Sequence, residues 1–109
     1  MMTRPKVLRI GAFKFKVRWD KGIDQFAAAG ATNQDMTTIL ISPTNTRQTR
    51  QETLVHEALH AMWKQTPLRV THPDEEADSP GEKIIQTISP LIYAFIRDNP
   101  EVIEWLQSP

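Results

Sequence analysis

The chain contains no cysteine, so neither a disulfide-stapled scaffold nor a zinc site built from thiolates is possible. Any metal ion must therefore be bound by histidines and carboxylates. No apolar run approaches the roughly 18 residues that a membrane span requires. The basic N-terminus is followed by a stretch interrupted by Arg9, Lys14 and Lys16, which does not match the core of a signal peptide. We therefore expect a cytoplasmic protein without membrane contacts.

Acidic residues are scarce in the first half of the chain. Residues 1–50 hold nine Lys and Arg against three Asp, whereas residues 51–109 hold four against ten acids. A basic half can bind nucleic acid, here through Lys14, Lys16 and Arg18. Packing of two oppositely charged halves against each other is the more common explanation. Nucleic acid is therefore not an expected partner, and binding of it is kept as a third hypothesis about function.

The composition is that of an ordinary soluble protein, with 39% hydrophobic and 24% charged residues over a length of 109. We expect residues 1–109 to form one domain. Residues 7–10 predict a short strand, and residues 14–19 alternate between apolar and cationic side chains, which predicts a second. The two should form a hairpin about Gly11. Residues 20–35 show no sustained period and predict a loop with one short helical turn.

Residues 36–42 contain an Ile-Leu-Ile run, which predicts a third strand. Two helices should follow, the first beginning at the capping-box pattern of Thr49 or a few residues earlier, and the second at the capping-box pattern of Ser79. A short helix after Pro100 ends the chain. We predict an α+β fold in which a small, mostly antiparallel three-stranded sheet packs on two long helices and a short C-terminal helix. The apolar residues of the second helix recur at helical spacing and predict a core-facing stripe: Ile84, Ile85, Ile88, Leu91, Ile92, Phe95 and Ile96.

The first long helix carries the pattern H-E-x-x-H at His56, Glu57 and His60. Two His at positions i and i+4 lie on one side of a helix, about 6 Å apart along its axis. Both imidazoles can therefore bind one zinc ion. Glu57 follows the first His and can reach a water molecule in the open position of the metal, where its carboxylate would act as general base.

A catalytic zinc site usually takes three protein ligands. Glu82 is the best candidate for the third, because it lies in the first turn of a helix whose apolar face should pack on the metal helix. Its carboxylate would instead turn back to Ser79 if the capping box forms. The connecting loop offers further candidates, of which the first three are the main alternatives: His72, Glu75, Glu76, Asp74 and Asp78.

The chain resembles small phage and prophage zinc-metallopeptidase-like proteins, which are minimal gluzincins related to the minigluzincins. The resemblance covers roughly residues 30–109 and, loosely, the N-terminal hairpin. In gluzincins the third ligand is a Glu on the helix after the motif helix, and this maps to Glu82. The acidic pair before that helix departs from the family pattern. The resemblance rests on these segments: residues 39–41, residues 53–61, residues 82–85, and the Asp-Asn-Pro-Glu of residues 98–101 followed by Trp105 and Leu106.

The residues and the resemblance together predict a zinc-dependent metallopeptidase, with His56, His60 and Glu82 as ligands and a peptide or protein as substrate. If the predicted strand of residues 36–42 lies at a sheet edge, it could pair with an extended peptide. The alternative is a non-catalytic metal-binding module with a regulatory or protein-interaction role. No further Arg, His or Tyr is clearly placed to stabilise an oxyanion, which favours this alternative.

Overall fold

The computed structural model describes residues 3–26 and 28–109. One mixed sheet has the strand order β1-β2-β4-β3, from β1 (Val7–Ile10), β2 (Phe13–Trp19), β3 (Gly30–Asn33) and β4 (Thr38–Ile41). The helices are α1 (Arg47–Trp63), α2 (Leu68–Thr71), α3 (Pro80–Asp98) and α4 (Pro100–Gln107), with a 3₁₀ helix at Lys21–Phe26. The predicted α+β class is confirmed. Within the described ranges, no helix combines the length and apolar character needed to cross a bilayer.

The predicted hairpin of β1 and β2 is present, and it turns at Gly11, whose φ of 58° suits glycine. Phe15 and Val17 point into the core, while the cations between them face solvent. The turn is fixed from outside by Gln65, just after α1. The backbone N–H of Ala12 donates to Gln65 Oε1 at 3.0 Å, and Gln65 Nε2 donates to the carbonyl of Ile10 at 2.9 Å. The hairpin is therefore hydrogen-bonded to a residue just after α1, the helix that carries His56 and His60.

The prediction of three mostly antiparallel strands is wrong in the number of strands, whereas two of the three strand pairings are antiparallel. A fourth strand, β3, lies in the segment that was expected to be loop, and β4 runs parallel to β2, with Val17 opposite Ile39. The sequence of β3 reads Gly-Ala-Thr-Asn and lacks the β-branched apolar run that marks a strand. The first residue of β3 must be small because Gly30 lies against α1. A Cβ added there would come within 2.6 Å of the Thr53 side chain.

The position of β4 also corrects the expectation about substrate pairing. β4 lies between β2 and β3, so its backbone is hydrogen-bonded on both sides and cannot accept an extended peptide. The edge strand on that side of the sheet is β3. Residues 20–35 therefore contain both the expected helical turn, which is the 3₁₀ helix, and this unpredicted edge strand.

Helix α1 packs across the inner face of the sheet, and α3 packs antiparallel to it, with Glu82 near His60 and Tyr93 near Gln51. Between the sheet and α1 lies the buried core cluster of Ile10, Phe15, Val17, Ile39, Ile41 and Ala61. Burial of these side chains provides the hydrophobic stabilisation that holds α1, and with it the motif, against the sheet.

Both predicted helix starts are confirmed, but the capping contacts differ from the predicted ones. The N-cap of α1 is Thr46, whose Oγ1 accepts a hydrogen bond from the N–H of Thr49, so this helix begins at Arg47, a few residues before Thr49. Ser79 precedes α3, but its hydroxyl donates to the carbonyl of Glu76 at 2.6 Å. The capping box with Glu82 is therefore absent, and the Glu82 carboxylate is available for other contacts.

The predicted core face of α3 is only partly buried. Ile85 is fully buried, and Tyr93 is the last buried residue along the helix. Four of the seven apolar side chains are substantially exposed, because no other described element covers that side of the helix: Ile84, Leu91, Phe95 and Ile96.

Candidate metal centre

The two motif histidines point to the same spot beside α1. Their Nε2 atoms lie 3.2 Å apart, and the side chains are 23% and 11% exposed for His56 and His60. In a tetrahedral site with Zn–N bonds of 2.0–2.1 Å, two ligand atoms lie roughly 3.3 Å apart. The spacing of the two Nε2 atoms therefore suits a shared metal ion.

The other ring nitrogen of each histidine faces a polar group of the protein. His60 Nδ1 lies 2.6 Å from Oδ2 of Asp74, whose carboxylate is almost completely buried. His56 Nδ1 lies 3.4 Å from the hydroxyl of Ser89 on α3. A hydrogen bond at Nδ1 fixes the ring orientation and leaves Nε2 as the free donor for a metal. From the sequence, Asp74 was considered only among the loop carboxylates and Ser89 was not considered at all.

Glu82 is the third side chain that reaches the two histidine Nε2 atoms. Its Oε1 lies 3.0 Å from His56 Nε2, and its Oε2 lies 2.6 Å from His60 Nε2. The carboxylate is largely buried and lies on the first turn of α3, which packs on α1 at this point. The structure thus brings together His56, His60 and Glu82, three residues that the sequence had singled out.

The competing loop residues are not bonded to the two histidines, although Glu75 and Glu76 border the same cleft. Glu75 is 80% exposed and its carboxylate lies 3.6 Å from Lys64. Glu76 is exposed, and so is His72, whose Nδ1 contacts the hydroxyl of Thr71. In the described structure no hydrogen bond or ion pair joins any of these three side chains to the motif histidines.

Glu57 is 7% exposed and is held by the edge strand. The hydroxyl of Thr32 lies 2.6 Å from Glu57 Oε1 and 3.0 Å from the Glu57 carbonyl. Burial raises the pKa of the Glu57 carboxyl, while the Thr32 hydrogen bond and the charges of the two histidines act to lower it. Sequence analysis missed Thr32 because it is remote in the chain and lies on a strand without a strand pattern.

The chemistry of the cluster fits a metal ion. His56, Glu57 and His60 each offer one ligand atom, and these atoms lie within 4.8 Å of one another. The donors are two imidazole nitrogens and carboxylate oxygens, the set that suits divalent ions such as zinc. This largely buried group could hold a metal ion.

The cluster opens into a cleft of about 960 Å³. One wall is formed by β3 with Ala28 and Ala29 before it, and the other by α3 from Glu82 to Pro90. A second cavity of about 540 Å³ adjoins it and shares Lys64 and Asp74 with the first. Among the described residues lining the larger cleft, Lys64 is the single Lys or Arg, and its Nζ lies 3.7 Å from Asp74.

Comparisons with protein-family models, with curated proteins and with solved structures found no match to this chain. The resemblance to minigluzincins therefore stays a prediction from the sequence. The functional argument rests on the arrangement of side chains around His56 and His60.

Proposed function

We propose that the protein is a zinc-dependent peptidase of the minimal gluzincin type, with His56, His60 and Glu82 as the metal ligands. The observation that carries the proposal is the position of the Glu82 carboxylate, with one oxygen at each histidine Nε2. Hydrogen-bond partners at both Nδ1 atoms support the assignment of Nε2 as the ligand atom on each ring.

When bound, zinc would supply Lewis acidity, which polarises a carbonyl group and makes water a stronger acid near neutral pH. Glu57 is assigned as the general base. It takes the proton from the attacking water and delivers it to the leaving amine. The hydrogen bond from Thr32 engages Oε1 of Glu57, so Oε2 is the oxygen assigned to the proton transfer. A base whose pKa is raised by burial is a stronger proton acceptor once it is ionised.

The substrate is assigned as an extended peptide lying along β3. This strand borders the cleft, and its free edge faces away from β4, where backbone N–H and carbonyl groups can pair with another chain. The small side chains of Ala28, Ala29 and Ala31 on this wall leave room for a peptide backbone close to Glu57.

One observation favours the alternative of a metal-binding module without catalysis. Of the described side chains lining the cleft, the single cation outside the motif histidines is Lys64, and it lies near both Asp74 and Glu75. Peptidases commonly stabilise the oxyanion of the transition state with an additional donor, and no Arg or Tyr lines this cleft.

Glu57→Gln separates the two functions. The amide keeps the shape of the side chain and should leave zinc content, measured by elemental analysis, near one ion per chain. Cleavage of an unfolded, fluorescently labelled protein should fall by about 10²–10⁴-fold, because the proton acceptor is lost. His60→Ala, which should lose the metal, is the control for metal dependence.

Two results would contradict the peptidase proposal. If the zinc-loaded wild type cleaves neither the unfolded protein nor a broad peptide library, the metal-binding module is the correct reading. If Glu57→Gln cleaves as fast as wild type, the activity comes from a contaminant or another base.

The ligand assignment has its own test. Glu82→Gln should weaken zinc affinity by more than the 10–100-fold that loss of an outer hydrogen-bond partner typically costs. Glu75→Gln, which removes an exposed loop carboxylate, is the matched control and should bind zinc like wild type. A larger loss of zinc affinity in Glu75→Gln than in Glu82→Gln would assign the third ligand to the loop.

A further inference from the structure

The outer face of the sheet, which we define by Arg9, Lys14, Lys16 and Arg18, carries all the charge of the four strands. These side chains alternate with the buried ones and point away from α1. Along β2, Lys14, Lys16 and Arg18 are spaced by about 7 Å, since every second residue of a strand faces the same side. Arg9 on β1 lies directly opposite Lys14. The four cations thus form a compact patch on one side of the molecule, with three in a row along β2 and Arg9 beside the first of them.

No acidic residue balances this outer face. None of the four strands contains an Asp or Glu. Within residues 3–26 and 28–109, every ion pair joins residues of the acidic half, from His56 to Asp98. Packing of the basic half against the acidic half, the explanation favoured from the sequence, therefore does not account for these cations.

The arrangement has an energetic cost in the isolated protein. Like charges directly opposite each other on neighbouring strands are destabilising, and Arg9 and Lys14 form such a pair. Solubility requires charge on this face but not charge of a single sign. A polyanionic partner would turn the same four cations into a favourable interaction, because each would neutralise one negative group.

We infer that the outer face of the sheet binds the phosphate backbone of duplex nucleic acid without regard to sequence. The row of Lys14, Lys16 and Arg18 along β2 matches a partner whose negative charges are also regularly spaced along a line. None of the residues facing outward from the strands is aromatic, so this face has no side chain on which an unpaired base could stack. The contact is therefore with phosphates, which hold the protein in place but do not specify a sequence.

The docked nucleic acid would leave the cleft open. Thr32, on the inner face of the sheet, contacts Glu57, whereas Lys16 and Arg18 lie on the opposite face. The inference is therefore independent of the proposed peptidase function. It places a nucleic-acid tether on one side of the sheet and the metal centre on the other.

The test is binding of a fluorescent 20-base-pair DNA of arbitrary sequence to the full chain over a series of salt concentrations. With four phosphates neutralised, the logarithm of the association constant should fall with the logarithm of salt concentration with a slope of about −3.6. Lys16→Gln should make that slope shallower by about 0.9. The triple variant Lys14→Glu, Lys16→Glu, Arg18→Glu should abolish binding.

A matched control changes the net charge equally but elsewhere. The variant Lys21→Glu, Arg47→Glu, Lys83→Glu reverses three exposed cations outside the strands and should bind DNA with the wild-type slope. Circular dichroism and zinc content check that both triple variants are folded. A second, unrelated duplex should bind with the same affinity.

Three outcomes would overturn the inference. The first is no binding at low salt by the folded wild type. The second is an equal loss of DNA binding in both triple variants, which would indicate an effect of net charge alone. The third is equal binding to polyglutamate, or binding to anionic lipid vesicles but not to DNA, which would assign the face to a different partner.

Discussion

The two ends of α3 have the same kind of sequence but very different surroundings. From Pro80 to Ser89 the helix packs on α1 and on the loop that carries Asp74, and it buries Gly81 and Ile85. Beyond Tyr93 the apolar side chains of α3 are exposed, and Trp105 on α4 is 73% exposed. Apolar periodicity predicts which side chains share a face, but not whether the chain supplies a partner for that face.

The packed end of α3 is also the end that contributes to the candidate site. Glu82 and Ser89 both lie in the packed end of α3, so their contacts with the histidines are supported by the core around them. The exposed end contributes no residue to the cleft beyond Pro90. Substitutions at the two ends should therefore differ sharply in their effects on stability and on metal affinity.

The largest expected difference is between two isoleucines of the same helix. Ile85→Ala removes a fully buried side chain and should lower the free energy of unfolding by about 2–5 kcal/mol. Ile96→Ala, at a position 44% exposed, should cost well under half of that amount. Urea denaturation of both variants measures the difference. Equal losses would mean that the exposed end of α3 is packed against something in solution.

A smaller effect is expected from Gly81→Ala. A Cβ at this position would lie 2.4 Å from the His72 carbonyl and 2.7 Å from that of Pro73, so the loop carrying Asp74 must move. Helix propensity alone predicts a gain of about 1 kcal/mol, whereas overpacking predicts a loss of about 1–3 kcal/mol. We expect the loss, with weaker zinc binding. Gly22→Ala, which meets only the flexible Asp20 side chain, is the control.

Glu57 should make the stability of the metal-free protein depend on pH. Burial raises the pKa of its carboxyl above the ordinary value of 4.5, so the folded state holds this proton when the unfolded state has released it. The free energy of unfolding contributed by this group therefore falls as pH rises above 4.5, until the folded carboxyl also ionises. The free energy of unfolding of Glu57→Gln should not show this decrease with pH.

This prediction is checked by urea denaturation over a pH series in the presence of a chelator. Glu104→Gln, on the exposed α4, controls for loss of a single carboxylate. If the difference in free energy of unfolding between wild type and Glu57→Gln is constant with pH, the pKa of Glu57 is not raised in the folded state. The hydrogen bond from Thr32 and the nearby histidines would then offset the effect of burial on that pKa.

The smallest effect is expected at the exposed end. Trp105→Ser removes the most exposed large apolar side chain of α4 and should change the free energy of unfolding by no more than about 0.5 kcal/mol. Zinc content should be unchanged. A loss above about 1 kcal/mol that depends on protein concentration would show that this surface associates with a second copy of the chain.

The parts of the site that the sequence predicted are those fixed by local geometry. His56 and His60 are neighbours on any helix, and Glu82 follows from its position at the start of the next one. The contacts of Asp74 and Thr32 could not be predicted in this way, because they depend on how a loop and an edge strand pack on α1. The same limit applies to β4, whose parallel pairing with β2 depends on a crossover that leaves no periodic signal.

The long-range contacts that attach α1 to the rest of the chain have a consequence for the order of folding. The β1–β2 hairpin is local and should form within about 10 μs, but Thr32 reaches Glu57 across 25 positions and Ser89 reaches His56 across 33. The entropy of closing these loops is lost before the contacts form, and parallel pairing of β2 with β4 adds to the delay. We therefore expect His56, His60 and Glu82 to come together late, so that a partly folded chain has a formed hairpin but lacks the candidate metal centre.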